Sequence, residues 1–217
     1  ADIIVCAWSG GKVDLGAYSA IFEEAKQKGI LILAAAGNFF SEKVEPPGSL
    51  GSVFVVAAVD SLGRKLVNSN YGRKVDLSAQ GEFVYAPHPQ KDNTYGYNDG
   101  TSAAVSLVGG CAAVLKVLKP AAGPAEILGA LKSTAMPIDS LNGSYVGKLG
   151  AGIPNLSRAV NYLTVEGAKD ALFNSRIPEG QLMVERNSNR TKWEIAPVGA
   201  HRGINFSLLG AWKDNKN

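Results

Sequence analysis

The sequence predicts an α/β domain: a doubly wound, mostly parallel sheet with helices on both faces. Three observations predict it. Ile3 to Cys6, Ile30 to Ala34 and Val53 to Val59 are near-continuous apolar runs of strand length. They lack the alternation of a sheet with one wet face, so both of their faces should be covered. Residues between the first two runs recur at helical spacing instead, which gives the strand–helix–strand order of a parallel crossover. Finally, Thr101 to about Leu118 is helical in pattern and almost entirely apolar, as a helix central to such a domain would be.

Along the chain, Ile3 to Cys6 is expected as a short buried strand. Asp14 is a candidate N-cap for a helix from Leu15 to about Lys28, whose apolar positions are Leu15, Tyr18, Ile21, Phe22 and Ala25. Gly29 ends it, and the second strand follows. Pro46-Pro47-Gly48 marks a loop before the third strand, and a fourth is expected over Val75 to Ala79. Phe83 to Asp99, rich in Pro, Asn, Gly and Tyr, reads as a loop. Pro120 stops the central helix, and Pro124 opens another through Ala135 from a first-turn position that tolerates proline. A turn spans Gly147 to Gly152, and a last helix Leu156 to Leu163. The main domain is therefore placed at 1–163, with 164–217 as a short C-terminal extension of unknown role. That extension should be β-rich, with strands around Gln181–Glu185, Lys192–Ile195 and Ile204–Leu208. The chain opens on Ala1-Asp2-Ile3-Ile4-Val5, without Met and directly into a strand, so the domain is expected to be incomplete at its N-terminus.

Composition excludes several classes. The 217 residues are 46% hydrophobic and 19% charged, a globular balance. A net charge of +3 is too small for the basic stripe of a nucleic-acid surface. Two Cys and two His spaced this widely do not read as a zinc site, and two Cys are too few for a disulfide scaffold. The uncharged stretch Thr101 to Leu115 is short for a bilayer, so no membrane partner is expected. No Gly-x-Gly-x-x-Gly or Walker-type loop follows a strand, which leaves little for a nucleotide.

Two segments carry chemistry. Ala34-Ala35-Ala36-Gly37-Asn38 lies at the C-terminal end of a parallel strand, the edge where open α/β sheets bind ligands. An Asn there can donate its amide to a developing oxyanion, although a turn Asn after Gly is also common. Asn98-Asp99-Gly100-Thr101-Ser102-Ala103-Ala104 runs into the central helix. Its Ser sits near free backbone amides at the positive end of the helix dipole, although Ser and Thr are equally the preferred N-caps. A third segment, Ser69-Asn70-Tyr71-Gly72 followed by Val75 to Gly81, has no catalytic group and reads as a structural turn and strand.

Taken in order, these segments resemble the C-terminal part of the catalytic domain of subtilisin-like serine proteases, the subtilases. Ala35-Ala36-Gly37-Asn38 is similar to the family's oxyanion-hole motif. Ser69-Asn70-Tyr71-Gly72 through Gly81 resembles its S-N-x-G…V-D-x-x-A-P-G stretch, and Gly100-Thr101-Ser102-Ala103-Ala104 its G-T-S-x-A nucleophile motif. Gly150-Ala151-Gly152-Ile153-Pro154-Asn155 with Ala159-Val160 is similar to its closing turn and last helix. Ala1-Asp2-Ile3-Ile4-Val5 with Trp8-Ser9-Gly10-Gly11 is similar to its A-D-V-I-N-x-S-x-G-G strand. The resemblance covers 1–163 and implies roles. Ser102 would be the nucleophile that forms an acyl-enzyme. Asn38 and the backbone amide of Ser102 would hold the oxyanion. Ala7, Trp8 and Ser9 would form one cleft wall and bind an extended polypeptide substrate as an added strand. Ala35, Ala36 and Gly37 would form the facing wall of the pocket for the residue before the scissile bond.

The departures are specific. Ser106 stands where the family's nucleophile motif usually carries Pro, Ala79-Gln80-Gly81 replaces A-P-G, and Trp8 is larger than the usual cleft residue. The triad Asp and His precede these segments in the family. Here the only histidines are His88, between motifs, and His201, in the unmatched extension. A serine hydroxyl without a base is a poor nucleophile, so this chain alone is expected to be nearly inactive. The expectation is a serine endopeptidase whose Asp and His come from an N-terminal chain of the same protease. The alternative is a pseudoprotease, or a peptide-binding module, on the same fold.

The chemistry requires no cofactor. Structural calcium fits the resemblance, with Asp60, Asp76 and Asp99 as scattered oxygen donors but no loop that concentrates them. Cys6 and Cys111 read as buried free thiols, and Gly109-Gly110 as a close-packing point of the central helix. Glycosylation sequons at Asn142, Asn155, Asn189 and Asn205, with the family's habits, point to secretion or the secretory pathway.

Overall fold

The computed structural model describes residues 1–10, 15–87 and 93–164, and the strand segments 183–186, 193–196 and 204–205. Two compact units divide the chain, Ala1–Ala168 and Lys169–Asn217.

Four strands form the sheet of the first unit: β1 (Ile3–Cys6), β2 (Leu31–Ala35), β3 (Phe54–Val59) and β4 (Leu77–Gln80). They lie side by side in chain order and every pair is parallel. Cys6 stands opposite Ala34, and Ala35 opposite Val56, so β1 and β2 leave the sheet together at their C-terminal ends. β2 is buried along its whole length, as its unalternating sequence predicts.

Strand alternation divides the core. Leu31, Leu33, Ala35, Val56, Ala58, Leu77 and Ala79 face one layer, where α2 (Thr101–Leu118) contributes Ala104, Val105, Val108, Ala112 and Leu115. α3 (Pro124–Ser133) closes that layer with Ile127, Leu128 and Leu131, and α4, described over 156–164, adds Ala159 and Leu163. The opposite face meets α1 (Leu15–Gln27) through Cys6, Ile32, Ala34 and Phe22, with Val55, Ala57 and Val59 in a neighbouring cluster. Burial of each large aliphatic contributes roughly 1.5–3 kcal/mol. By length and composition α2 could cross a membrane, yet one face of it is built into the sheet.

Several expectations need correction. The segment read as a loop contains an antiparallel hairpin, β5 (Val84–Pro87) and β6 (Tyr95–Asn98). Composition hid it, because cross-strand aromatic packing decides here: Tyr85 lies 5.3 Å from Tyr97 and 5.5 Å from Tyr95 between ring centroids. β1 is not a buried strand, since Ile4 and Val5 are 36% and 38% exposed. Of the apolar stripe on α1, Phe22 is buried while Ile21 is 63% exposed. β1 is the edge strand of this sheet among the described residues. Asp14, the candidate cap, lies outside the described residues.

Other readings meet the structure directly. A Cβ on Gly109 would lie 2.6 Å from the Val5 side chain, so this glycine lets α2 close on β1, whereas Gly110 has open space. Among the described parts of the extension, β7 (Met183–Arg186), β8 (Trp193–Ala196) and β9 (Ile204–Asn205) form an antiparallel sheet on the three segments predicted.

Candidate active site

The site is built where β2 ends, beside the start of α2. Ala35 and Ala36 are buried, with Ala36 N donating to Val56 O at 3.0 Å. Gly37 then turns the chain at φ +106° and is itself buried. Asn38 is the first residue of the segment to reach solvent. Its Oδ1 accepts two hydrogen bonds from Thr101, from the backbone N at 2.9 Å and from the hydroxyl at 3.0 Å. A backbone N–H only donates, so the atom facing it is the amide oxygen. The Thr101 hydroxyl in turn accepts Gly37 N at 3.2 Å. Gly37 and Asn38 are thus both tied to the first residue of α2, and the amide NH₂ of Asn38 is left for another acceptor.

Gly100 caps α2 at φ +101° without a side-chain cap. A Cβ on it would lie 3.0 Å from Asn38 Nδ2, so glycine keeps the space beside that amide open. Ser102 follows in the first turn, where backbone N–H groups have no intrahelical partner. It is half-buried, and its hydroxyl donates to Ala7 O at 2.6 Å. This bond joins α2 to the segment after β1, where Ala7 and Trp8 are exposed and Ser9 is half-buried. Gly10 N donates to Pro46 O at 3.0 Å and fixes the far end of that segment. Ser106, in place of the family's proline, returns its hydroxyl to Ser102 O at 2.9 Å.

The fold therefore brings Ala7 to Ser102, and Asn38 to the residue before Ser102. It places Ala35, Ala36 and Gly37 beneath Asn38, with their carbons inside the core. Chemically, the cluster holds the Ser102 hydroxyl at the start of a helix whose first N–H groups lack intrahelical partners, with the Asn38 carboxamide tied by its oxygen to the preceding residue, Thr101. His88 and His201 both lie outside the described residues. Burial pushes the Cys6 thiol up and Cys111 to about 11, so neither competes as a nucleophile. Both are free.

Sequence reasoning missed two residues. Within the nucleophile motif the sequence assigns Thr101 no role of its own, but its hydroxyl holds Asn38. Asn70 was read as part of a turn, but it is fully buried and all of its side-chain bonds go to the segment around Asn38. Adjacency to Ser102 was a signal for Thr101; Asn70 gave none beyond being an amide amid apolar strands. A further cluster lies just past Asn38. Phe40, Tyr71 and Tyr145 surround the Lys65 ammonium, with ring centroids at 4.7, 5.2 and 5.0 Å. Lys65 also donates to Leu66 O and Val67 O.

The three aspartates are each bonded to other partners. Asp60 accepts from Leu62, Arg64 and the Arg64 guanidinium; Asp76 accepts Val55 N and pairs with Lys132; Asp99 accepts Phe83 N. Among the described residues no group of three His, Cys, Asp or Glu side chains could hold a metal. The sequon at Asn142 is buried, its carboxamide bonded to Gly63 O, Ile138 O and Lys65 N.

Comparison with known proteins bears on this arrangement. The model of the subtilase family matches residues 1–180. Subtilisin BL from Lederbergia lenta is 31% identical over 135 residues, which are 62% of this chain and 48% of that protein. An extracellular protease of Xanthomonas campestris pv. campestris is 32% identical over 167 residues, 74% of this chain and 28% of that protein. A solved structure of a protease from Pseudoalteromonas arctica PAMC 21717 superposes with a TM-score of 0.68 at 30% identity, covering 75% of this chain and 51% of that one. The chain spans about half the length of subtilisin BL, and less of the Xanthomonas protein.

Proposed function

The chain belongs to the subtilase family, and from that premise we propose that it is the part of a serine endopeptidase that carries the nucleophile Ser102 and the oxyanion donor Asn38. The observation that carries this reading is the double bond from Thr101 to Asn38 Oδ1, which orients the amide so that only its donors remain free. A peptide-binding module has no use for that orientation, whereas a tetrahedral oxyanion does.

In the proposed reaction a polypeptide lies extended along Ala7, Trp8 and Ser9 as an added strand. Ala35, Ala36 and Gly37 form the floor of the opposite wall. Ser102 Oγ gives its proton to an imidazole and attacks the scissile carbonyl, whose oxygen becomes the anion held by Asn38 Nδ2 and Ser102 N. The carbon–nitrogen bond then breaks, the amine leaves with the proton, and water releases the acyl group from Ser102. The imidazole and its Asp belong to an N-terminal portion of the same protease. Support for that partner comes from β1, whose outer edge is unpaired among the described strands and whose Ile4 and Val5 are exposed beside it. No cofactor is assigned to the chemistry. Secretion is proposed by analogy with the Xanthomonas relative, named an extracellular protease.

One observation favours the pseudoprotease alternative: Ser102 gives its proton to Ala7 O, an acceptor that cannot act as a base. Fluorophosphonate labelling followed by denaturing intact-mass measurement separates the two. The chain alone should label barely above a Ser102→Ala control. Together with its N-terminal portion it should gain one adduct, located at Ser102. Failure to label in that complex would establish the pseudoprotease.

A further inference from the structure

We infer that Asn70 is a positioning residue for the oxyanion donor: its carboxamide is the template on which the loop carrying Asn38 is built. The inference rests on the protease reading above and adds to it a residue with no contact to substrate.

The geometry is complete on both sides of the amide. Asn70 Oδ1 accepts Phe39 N at 2.9 Å and Ser41 N at 3.0 Å. Its Nδ2 donates to Ala36 O at 3.0 Å and Lys43 O at 3.1 Å. A carboxamide has two donors and two acceptor positions, and here all four go to one loop, residues 36–43. Asn70 N adds a bond to Gly37 O at 2.8 Å. Asn38 is therefore flanked on both sides by residues fixed to Asn70, while its own side chain stays free of it. The neighbours of Asn70 extend the template: Asn68 O accepts Phe40 N, and Tyr71 N donates to Ser41 O.

Two observations show that the contact is built in. Asn70 is fully buried, so its carboxamide depends on these four protein partners rather than on water. A Cβ on Gly37 would lie 2.4 Å from Asn70 Nδ2, so the glycine ahead of Asn38 is what admits the amide. The template is itself anchored to the sheet. Ser69 Oγ accepts Ala58 N from β3 and donates to Asn70 O. The path runs from β3 through Ser69 and Asn70 into the loop, and so to Asn38. The loop needs such a frame, because Phe40 holds a positive φ of 50° without being glycine.

A double-mutant cycle on the full protease, with its N-terminal portion present, tests this. Asn38→Ala should lower kcat by about 10²–10³-fold. Asn70→Ala should lower kcat by up to about 10²-fold with KM nearly unchanged, since a small misplacement of a catalytic donor has that effect. The double variant should be no slower than Asn38→Ala, because the loop then has no donor to place. If the two losses multiply instead, Asn70 acts by some route other than Asn38 and the inference is overturned. If Asn70→Ala does not fold, Asn70→Asp carries the same cycle: it keeps both acceptor bonds and loses both donor bonds. Wild-type turnover by both Asn70 variants also overturns the inference. An inert wild-type enzyme, or Asn38→Ala at the wild-type rate, overturns the protease reading itself and this inference with it.

Discussion

The hydroxyl of Ser102 and the carbonyl of Ala7 are 2.6 Å apart, so the segment after β1 holds the proton that a catalytic base would have to take. Ser102 stands in the first turn of α2, where the dipole and the free N–H groups stabilise negative charge. That field acts on whatever nucleophile occupies the position.

A thiol at that position should therefore be unusually acidic. In a Ser102→Cys variant, residue 102 is expected to titrate below the ordinary thiol value, as cysteines at helix N-termini do. Cys6 and Cys111 are both held high by burial. Brief alkylation near neutral pH should mark residue 102 first, and peptide mapping reads the order. Modification of Cys6 or Cys111 ahead of it would mean that the helix start has no such field.

Thr101→Val keeps the shape of the side chain and removes its hydroxyl. Gly37 N loses its acceptor, and Asn38 Oδ1 keeps only the backbone donor. Leaving a buried N–H unpaired costs about 1–3 kcal/mol, which a thermal melt will register. Activity of the assembled protease should fall further than stability does, because the Asn38 amide gains a rotation it lacks in the wild type. A variant with wild-type kcat would show that the backbone bond alone orients Asn38.

Gly109→Ala should destabilise the domain by about 1–3 kcal/mol, the usual penalty for overpacking. The added methyl would stand 2.6 Å from Val5, and neither α2 nor β1 can yield without disturbing the contact between Ser102 and Ala7. Val5→Ala should recover most of the loss in the double variant. Chemical denaturation of the four proteins gives the coupling, and simple additivity would place the clash elsewhere.

Much of this was legible in the residues. Unalternating runs such as Leu31-Ile32-Leu33-Ala34-Ala35 reveal a strand buried on both faces, and Asn38 and Ser102 stand at strand and helix ends where chemistry belongs. What escaped had non-local causes. The hairpin of β5 and β6 depends on Tyr85 meeting Tyr95 and Tyr97 across strands, and a composition of Pro, Asn and Gly conceals that. Ile21 and Val5 are apolar at the right spacing, yet both are exposed, which spacing alone does not tell. Asn70 lies 32 positions after Asn38, and nothing local to it tells that its amide will template a distant loop.

The Lys65 cage gives the domain a pH signature. Burial lowers the Lys65 pKa from 10.5 to about 8. Between those values the unfolded chain binds more protons than the folded one, so this group makes stability rise with pH across that window. Below pH 8 both states are protonated, and the folded state carries the full penalty of a half-desolvated ammonium. Three ring faces and two carbonyl oxygens offset part of that penalty, and solvent still reaches the side chain. The net rise should therefore be about 1 kcal/mol, well short of the full linkage value. The Lys148–Glu42 pair, with Lys148 5.8 Å from the Tyr71 ring, also faces the cage, so a difference measurement is needed. Lys65→Met removes the titrating group and leaves the pair. The stability of wild type minus that of Lys65→Met, from denaturant unfolding between about pH 7.5 and 10, should climb with pH. A flat difference would mean that the cage holds the ammonium as comfortably as water does, and a falling one that it prefers the charged form.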